Sequence, residues 1–242
     1  MADFITYQVH SKDPKNYGTV TFSPDIPWNT HKVEYKVTNL NTFANFLITT
    51  EDDYIEYDSS FAEPRKIKCF KNKTSYDLEE LVKVLNEELP FIASVTDTGV
   101  LSFQYTKTFQ ITNASHRVKL LLGLYHSTFP INSDSNNYII ADSAPMLTYG
   151  NVLYLKSNQG NALGVIIDGD KYHAPCIYRI NNFLKPGLPI ISNQKGDKVI
   201  VNAEAAKTIT MQLVDFMYEP IELKSPLFIT LKIKYIINQA YN

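Results

Sequence analysis

The stretch HKVEYKV, His31 to Val37, alternates without a break: His31, Val33, Tyr35 and Val37 form one row, and Lys32, Glu34 and Lys36 the other. Successive side chains of a strand point to opposite faces, so the alternation predicts a half-buried strand with the first row on a core and the second in water. Short runs on either side repeat the theme. FITYQV from Phe4, GTVTF from Gly18, FANFLIT from Phe43, DYIEY from Asp53 and KIKCF from Lys66 are β-branched or aromatic and are separated by Pro, Asp and Asn. Strands return from Tyr138 in YIIA, NVLYLKS from Asn151, LGVIID from Leu163, KVIVN from Lys198, TITMQLVDF from Thr208 and LFITLKIKYII from Leu227. Short strands with turns between them predict a sandwich. Pro220 and Pro226 in MYEPIELKSP predict an irregular connection between the last two strands.

Lys71 to Tyr125 departs from this rhythm. After Thr74 and Ser75, either of which can cap a helix, Leu78, Leu81, Val82, Leu85 and Leu89 recur at spacings of three and four, and Pro90 follows. Glu79, Glu80, Lys83, Asn86 and Glu87 occupy the opposite face, so this helix should lay one stripe on a sheet. Phe91–Val95 and Val100–Tyr105, joined through Asp97, Thr98 and Gly99, predict a hairpin that a strand at Thr108–Thr112 can join. Ser115 can cap a short helix through Val118, Leu120, Leu121 and Leu122 that stops at Gly123. The expected organisation is therefore strands over 1–70, an α/β insertion of helix, hairpin and short helix over 71–125, and further strands over 126–242.

The 242 residues suffice for one all-β domain, and the 44% hydrophobic and 20% charged fractions fit a folded protein. No run reaches the roughly 18 apolar residues of a membrane span, and the opening MADFITYQVHSKDP predicts neither a secretory signal nor a transit peptide. Cys69 and Cys176 are read as two buried free thiols, being too few for a disulfide framework or metal cluster. A formal net charge of −2 gives no general drive toward nucleic acid. The 16 Tyr and 13 Phe suit either a β core or subunit interfaces.

The polar residues offer few catalytic patterns. His10, His31, His116, His126 and His173 are scattered without metal-ligand spacing, and with 9 Gly there is no P-loop, nucleophile elbow or dinucleotide turn. Glu51, Asp52, Asp53, Glu56 and Asp58 could offer oxygen ligands to a hard cation, but a solvated strand end is the preferred reading. Asp168 and Asp170 around Gly169 read as a turn, with a metal or sugar site as the alternative. Asp215, Glu219 and Glu222 could imitate a glycosidase pair only if they faced one another. His116, Arg117 and Lys119, with Lys107 upstream and Phe103, Tyr105 and Phe109 as stacking partners, form the best basic cluster. The cluster is read as the solvent face of a helical turn, so no specific nucleic-acid site is expected. Lys195-Gly196-Asp197 reads as a turn rather than an adhesion tripeptide, and the acceptor patterns at Asn72 and Asn113 matter only in a secreted chain. No catalytic, cofactor or metal residue is assigned.

The order of segments carries more. The helix YDLEELVKVLNEEL (76–89), the hairpin SVTDTGVLSFQY (94–105), the strand and short helix TFQITNASHRVKLLLGL (108–124), the following ADSAPMLTYGNVLYLKS (141–157) and the closing MQLVDFMYEPIELKSPLFITLKIKY (211–235) resemble the minor capsid, or penton, proteins of Polinton (Maverick) elements, adintoviruses and virophages. The resemblance spans Lys71 to Tyr235 and includes the Leu-Leu-Gly-Leu turn at Leu121 to Leu124. It implies a mainly β protein, a single jelly-roll β-sandwich, assembling as a homopentamer at capsid vertices beside a major capsid protein, with a host receptor as a further candidate partner and the virion as location. Strand edges, Phe129–Pro145 and Asn181–Gly196 are then the expected contact regions. The alternatives are a lectin-like or receptor-binding jelly roll and a carbohydrate-active enzyme using Asp168, Asp170 or the late acids.

Overall fold

Three strands open the chain, β1 (Ile5–His10), β2 (Thr19–Phe22) and the 14-residue β3 (Thr30–Phe43), which carries the alternating stretch. A computed structural model describes residues 4–59, 64–148, 152–159, 163–167, 170–174, 176–181, 187–194 and 196–237. The chain forms two units, one of Met1–Phe46 with Gly150–Asn242 and one of Leu47–Tyr149. The second unit holds β4 (Ile55–Asp58), β5 (Arg65–Ile67), α1 (Leu78–Glu88), β6 (Ile92–Val95), β7 (Leu101–Gln104), β8 (Gln110–Ala114), α2 (His116–Leu122), β9 (Ile131–Asn132) and β10 (Tyr138–Ile140). The chain then re-enters the first unit as β11 (Val152–Ser157), β12 (Leu163–Ile167), β13 (Asp170–Ala174), β14 (Cys176–Asn181), β15 (Pro189–Ser192), β16 (Val199–Asn202), β17 (Ile209–Val214) and β18 (Phe228–Ile237).

The first unit is a sandwich of antiparallel sheets. One sheet runs β1-β18-β3, with β15 and β16 following one another along the far edge of β3, and the other runs β14-β11-β17-β2. β12 and β13 form a separate hairpin. With β15 and β16 counted as one interrupted strand, the eight strands of the two sheets lie in the orders 1-8-3-6 and 2-7-4-5. First pairs with last, second with seventh, third with sixth and fourth with fifth, which is a long hairpin rolled up: a single jelly roll. Val33, Tyr35, Val37 and Leu40 of β3 are buried, as are Ile229, Leu231 and Ile233 of β18 and Leu153, Leu155, Met211 and Leu213 of the other sheet. Each such side chain contributes roughly 1.5–3 kcal/mol.

Two tyrosines tie the sheets across the core. Tyr35 Oη on β3 lies 2.8 Å from Ser157 Oγ on β11, and Tyr178 Oη on β14 lies 2.8 Å from Ser192 O on β15. A buried phenol needs such a partner, and here the partner always belongs to the opposite sheet. Gly196 makes a third tie: its N–H donates to Val37 O at 2.9 Å and the Asp197 N–H donates to Ile177 O at 2.8 Å. A Cβ at Gly196 would stand 2.8 Å from Ile177 O and 3.0 Å from Val37 O, so the approach requires glycine. The alternation from His31 to Val37 holds with two exceptions: His31, expected on the core row, is exposed at the start of the strand, and Glu34 departs the other way. Glu34, expected in water, is buried because β16 pairs beside it and Lys198 Nζ reaches its carboxylate at 2.9 Å.

In the second unit, Leu81, Leu85 and Leu89 bury the α1 stripe. The cap is Asp77, not Thr74 or Ser75, because its carboxylate immediately precedes the first turn and accepts the Glu80 N–H at 2.7 Å. Asn86 clasps Ala93 with its amide, accepting the backbone N–H at 2.6 Å and donating to the carbonyl at 3.1 Å, which fixes α1 to β6. Phe91 is the centre of an aromatic cluster, edge-on to Tyr57 and Phe103 and stacked on Phe109 at 5.4 Å. The strands form two sheets, β10-β7-β6 and β5-β4-β8-β9.

Several expectations are corrected here. The strand expected at Thr108–Thr112 does not join the β6-β7 hairpin; β8 pairs with β4 and β9, while β10 fills the edge of β7. The Asp134 carboxylate accepts the Asn136 and Tyr138 N–H groups and so turns the chain into β10. YIIA thus belongs to this unit and not to the jelly roll. FANFLIT is not a strand beyond Phe43: it is where the chain passes from one unit to the next, with isolated bridges Phe46 to Leu223 and Thr49 to Lys73. The unit runs from Leu47 to Tyr149, wider than 71–125, because β4 and β5 on one side and β9 and β10 on the other complete its sheets.

Ser115 stands at the α2 cap position, but its hydroxyl accepts the Tyr54 N–H at 3.3 Å instead of capping the helix. Gly123 ends α2 at φ 71°, and a Cβ there would meet Ser143 O at 2.0 Å. Gly123→Ala should therefore cost roughly 2–4 kcal/mol in chemical denaturation, from left-handed strain and a backbone clash together. A second expectation concerns alkali. Burial pushes the Tyr35 hydroxyl from 10.0 up to about 12, so the unfolded chain releases this proton first. The stability this group contributes is complete below pH 10 and is lost as pH rises toward 12. Denaturation midpoints followed over that range should fall less in Tyr35→Phe than in the parent chain.

Candidate assembly surfaces

The acidic residues of the 51–58 region do not converge. Asp52 pairs with Lys68 at 2.9 Å, Glu51 accepts from Asn72, and Glu56 accepts from Thr112 Oγ1. The Lys68 ammonium holds the Asp52 carboxyl below its ordinary range. Asp53 and Asp58 depart from the solvated reading by being buried. Asp53 accepts the Thr50 N–H at 2.7 Å and faces Arg117 at 3.6 Å, and Asp58 accepts from Gln110. Asp215 is buried as the acceptor for the Met217 and Glu219 N–H groups, while Glu219 and Glu222 are exposed. Its role is to hold a turn. Asp168 and Gly169 lie outside the described residues, and Asp170 opens β13.

His10 stacks on Phe228 at 5.6 Å and His126 packs on Tyr125, whereas His31 is exposed and His116 begins α2. Among the described residues no three His, Cys, Asp or Glu side chains are grouped to hold a metal ion. The basic cluster loses its stacking partners, since Phe103 and Phe109 are core residues. Arg117 is engaged with Asp53 and Thr50, and Lys119 lies over the Phe129 ring at 4.4 Å. Lys195 lies outside the described residues; Gly196 serves the core contact given above. No helix among the described residues is long and apolar enough to cross a membrane.

What the fold presents instead is two uncharged sheet faces. In the second unit, the inner side of β10-β7-β6 buries Ala93, Leu101, Phe103 and Ile139. Its outer side aligns Ile92 and Tyr138 with Gln104, and Ser94 and Ile140 with Ser102. Ile92 and Ile140 are 63% and 61% exposed, and no charge interrupts the face. In the jelly roll, a row across four strands joins His10, Phe228, Asn41 and Ile191, with Phe43 and Pro189 paired beside it. Phe43, Phe228 and Ile191 are exposed, and the side-chain oxygens of Asn39 and Asn41 are buried among them without a partner. Exposed aliphatic and aromatic groups without charge are the composition of an interface core.

Each face takes one edge strand from a region expected to make contacts, β10 from the first and β15 from the second, and its other strands from elsewhere. Phe129–Pro145 and Asn181–Gly196 are not simply loops: the first contains β9 and β10, and the described part of the second contains β15. Ile140 and Ile191 are displayed on sheet edges, which fixes their positions. Trp28, the single tryptophan, stands 94% exposed in a turn closed by the Thr30 N–H on Pro27 O. Such an aromatic is an efficient anchor for a partner.

The cysteines are free, and Cys176 is buried as expected while Cys69 is only partly so. Cys69 borders a cavity of about 170 Å³ that Lys71, Lys73, Tyr76 and Glu80 also line. The cavity is small beside the roughly 300–1,000 Å³ of ordinary ligand pockets. Burial pushes the Cys69 thiol up to about 12 and the Cys176 thiol up to about 11. Since the thiolate is the nucleophile, both should react slowly with an aromatic disulfide reagent at pH 8 in the native protein and rapidly once it is denatured.

The geometry thus defines a class: a mainly β protein built on a single jelly roll with an α/β unit between its third and fourth strands. No family model matches the chain. No curated protein matches it either. Among solved structures it is similar to a mavirus penton protein at 10% identity, over 96% of this chain and 99% of that one, with a TM-score of 0.36. It is also similar to the flagellar cap protein FliD of Escherichia coli. The D1-D2-D3 domains match at 11% identity over 84% of this chain and 59% of that one, TM-score 0.25, and the D2-D3 domains at 13% identity over 89% and 100%, TM-score 0.23. Likenesses this distant do not assign a function.

Proposed function

We propose that the chain is a structural subunit of a viral shell, a minor capsid or penton protein whose five copies close a ring at each vertex beside a major capsid protein. The observation that carries the proposal is the single jelly roll that leaves two uncharged apolar faces open, one on each unit. The segment order from Lys71 to Tyr235 supports the same reading. A ring of identical copies needs two different patches on each subunit, because every copy presents one side to the neighbour before it and another to the neighbour after it. Ile92, Tyr138 and Ile140 supply one patch; Phe43, Ile191 and Phe228 supply the other. Asp52, Asp53, Asp77 and Asp215 are committed to an ion pair, turns and a helix cap, which suits a protein that works by contact.

Light scattering on the purified full chain tests the proposal, with five times the protomer mass as the expected result. Ile140→Asp and Ile191→Asp should each weaken assembly by tenfold or more, about 1.4 kcal/mol, while leaving the thermal midpoint in place. A chain that stays monomeric at high concentration, alone and mixed with its major capsid protein, would overturn the reading. A trimer that binds glycans would move it to a receptor-binding jelly roll.

A further inference from the structure

We infer that the outer face of the β1-β18-β3-β16 sheet, at the end away from Phe228, binds the phosphate backbone of double-stranded nucleic acid through Lys32, Lys36, Lys198, Lys232 and Lys234. The strand register builds this face. Lys232 of β18 stands directly opposite Lys36 of β3, Lys234 opposite Glu34, and Ile236 opposite Lys32, while Ile200 of β16 flanks Glu34 on its other side. Outward residues repeat about every 6.7 Å along a strand, and neighbouring strands lie about 4.8 Å apart, so the ammonium groups share one small, flat area.

Among the described residues of these strands, carboxylates are few. Glu34, the one carboxylate in this register, is already engaged by Lys198 at 2.9 Å. The Nζ atoms of Lys36 and Lys234 share the Phe4 ring, at 5.0 and 6.0 Å from its centroid, which softens their charge without cancelling it. Within the described register, five lysines against one carboxylate leave an excess of four positive charges on a chain whose formal net charge is −2. Like charges directly opposite on a sheet destabilise it. A polyanion laid across the strands would supply the missing counter-charge.

The chemistry selects among polyanions. Lysine is depleted from protein–protein interfaces, and the ring that lies within the cluster is Phe4, while the exposed Trp28 precedes β3 outside the lysine register. Single strands are held by bases stacked on open rings, but the Phe4 ring carries two ammonium groups. The five ammonium groups are point charges that meet phosphates and not base edges, with the Asn202 amide standing beside Lys32, so binding is through phosphates and independent of sequence. This property belongs to the single subunit and holds whether or not copies assemble.

Fluorescence anisotropy with labelled 30-base-pair duplexes of two unrelated sequences provides the test. Equal affinity for both is expected, falling roughly 100-fold between 50 and 200 mM salt for about four phosphate contacts. Lys36→Thr with Lys232→Thr should weaken binding at least tenfold and reduce the salt slope by about two. Threonine favours strands and the substitutions remove a like-charge pair, so the thermal midpoint should stay level or rise. Lys32→Thr with Lys232→Thr, which spares both contacts to Phe4, should weaken binding in the same way. No binding at 50 mM salt, undiminished binding by both double variants, or tighter binding to polyglutamate or to phosphatidylserine vesicles than to duplex would overturn the inference.

Discussion

Ten residues near the end of the chain, Phe228 to Ile237, pair antiparallel with β3 from Asn41 back to Thr30, and the rest of the jelly roll is arranged around that ladder. It joins residues almost two hundred positions apart, so the loop-closure cost is met only when the apolar rows of both strands are buried together. β1 pairs on the outer side of β18, while β15 and β16 pair on the far side of β3. The register shifts between Thr230 and Leu231, three residues into β18, where such an irregularity bends a ladder, and again between Ile236 and Ile237. On one side of that bend the outer face is apolar and uncharged, and on the other it is lysine-rich. A single strand pair thus sets both the core and the two characters of the surface above it.

The abundance of tyrosine has a structural explanation. Tyr35 and Tyr178 span the sandwich, placing the ring in the core and the hydroxyl on a polar group of the opposite sheet. Tyr57 belongs to the aromatic cluster around Phe91, and Tyr7 and Tyr235 meet hydroxyl to hydroxyl at 2.9 Å. Aromatic content that could have belonged to core or interface is therefore divided: Tyr35, Tyr57, Tyr76, Tyr178 and Tyr235 are buried, while Trp28 and several Ile and Phe are exposed for contact. Gly196 completes the sandwich because only a residue without a side chain can approach the backbone of both sheets.

Asp53 and Asp215, candidates for ligand or acid chemistry in the sequence, have structural duties. Asp53, Asp77, Asp134 and Asp215 each accept backbone N–H groups at a turn or helix start, as short carboxylates do wherever a chain reverses. Arg117 is turned toward Asp53. The lysines of β3 and β18 looked unremarkable when each was read as the wet row of its own strand. Their density appeared only once the two strands were side by side.

Local pattern determined much of this protein. Alternation placed β3 and β18, the spacing of Leu78, Leu81 and Leu85 placed α1, and Gly99 and Gly123 marked backbone that turns through positive φ, because these signals act over a few residues. Partner choice was beyond such signals. That β8 pairs with β4 and not with the neighbouring hairpin, that β10 belongs to the second unit, and that Ser115 gives its hydroxyl to Tyr54 are all decided between segments distant in sequence. The same holds for surfaces. Each exposed Ile and each Lys is visible in the sequence, but whether it stands alone or in a face depends on strand register, which exists only in the folded chain.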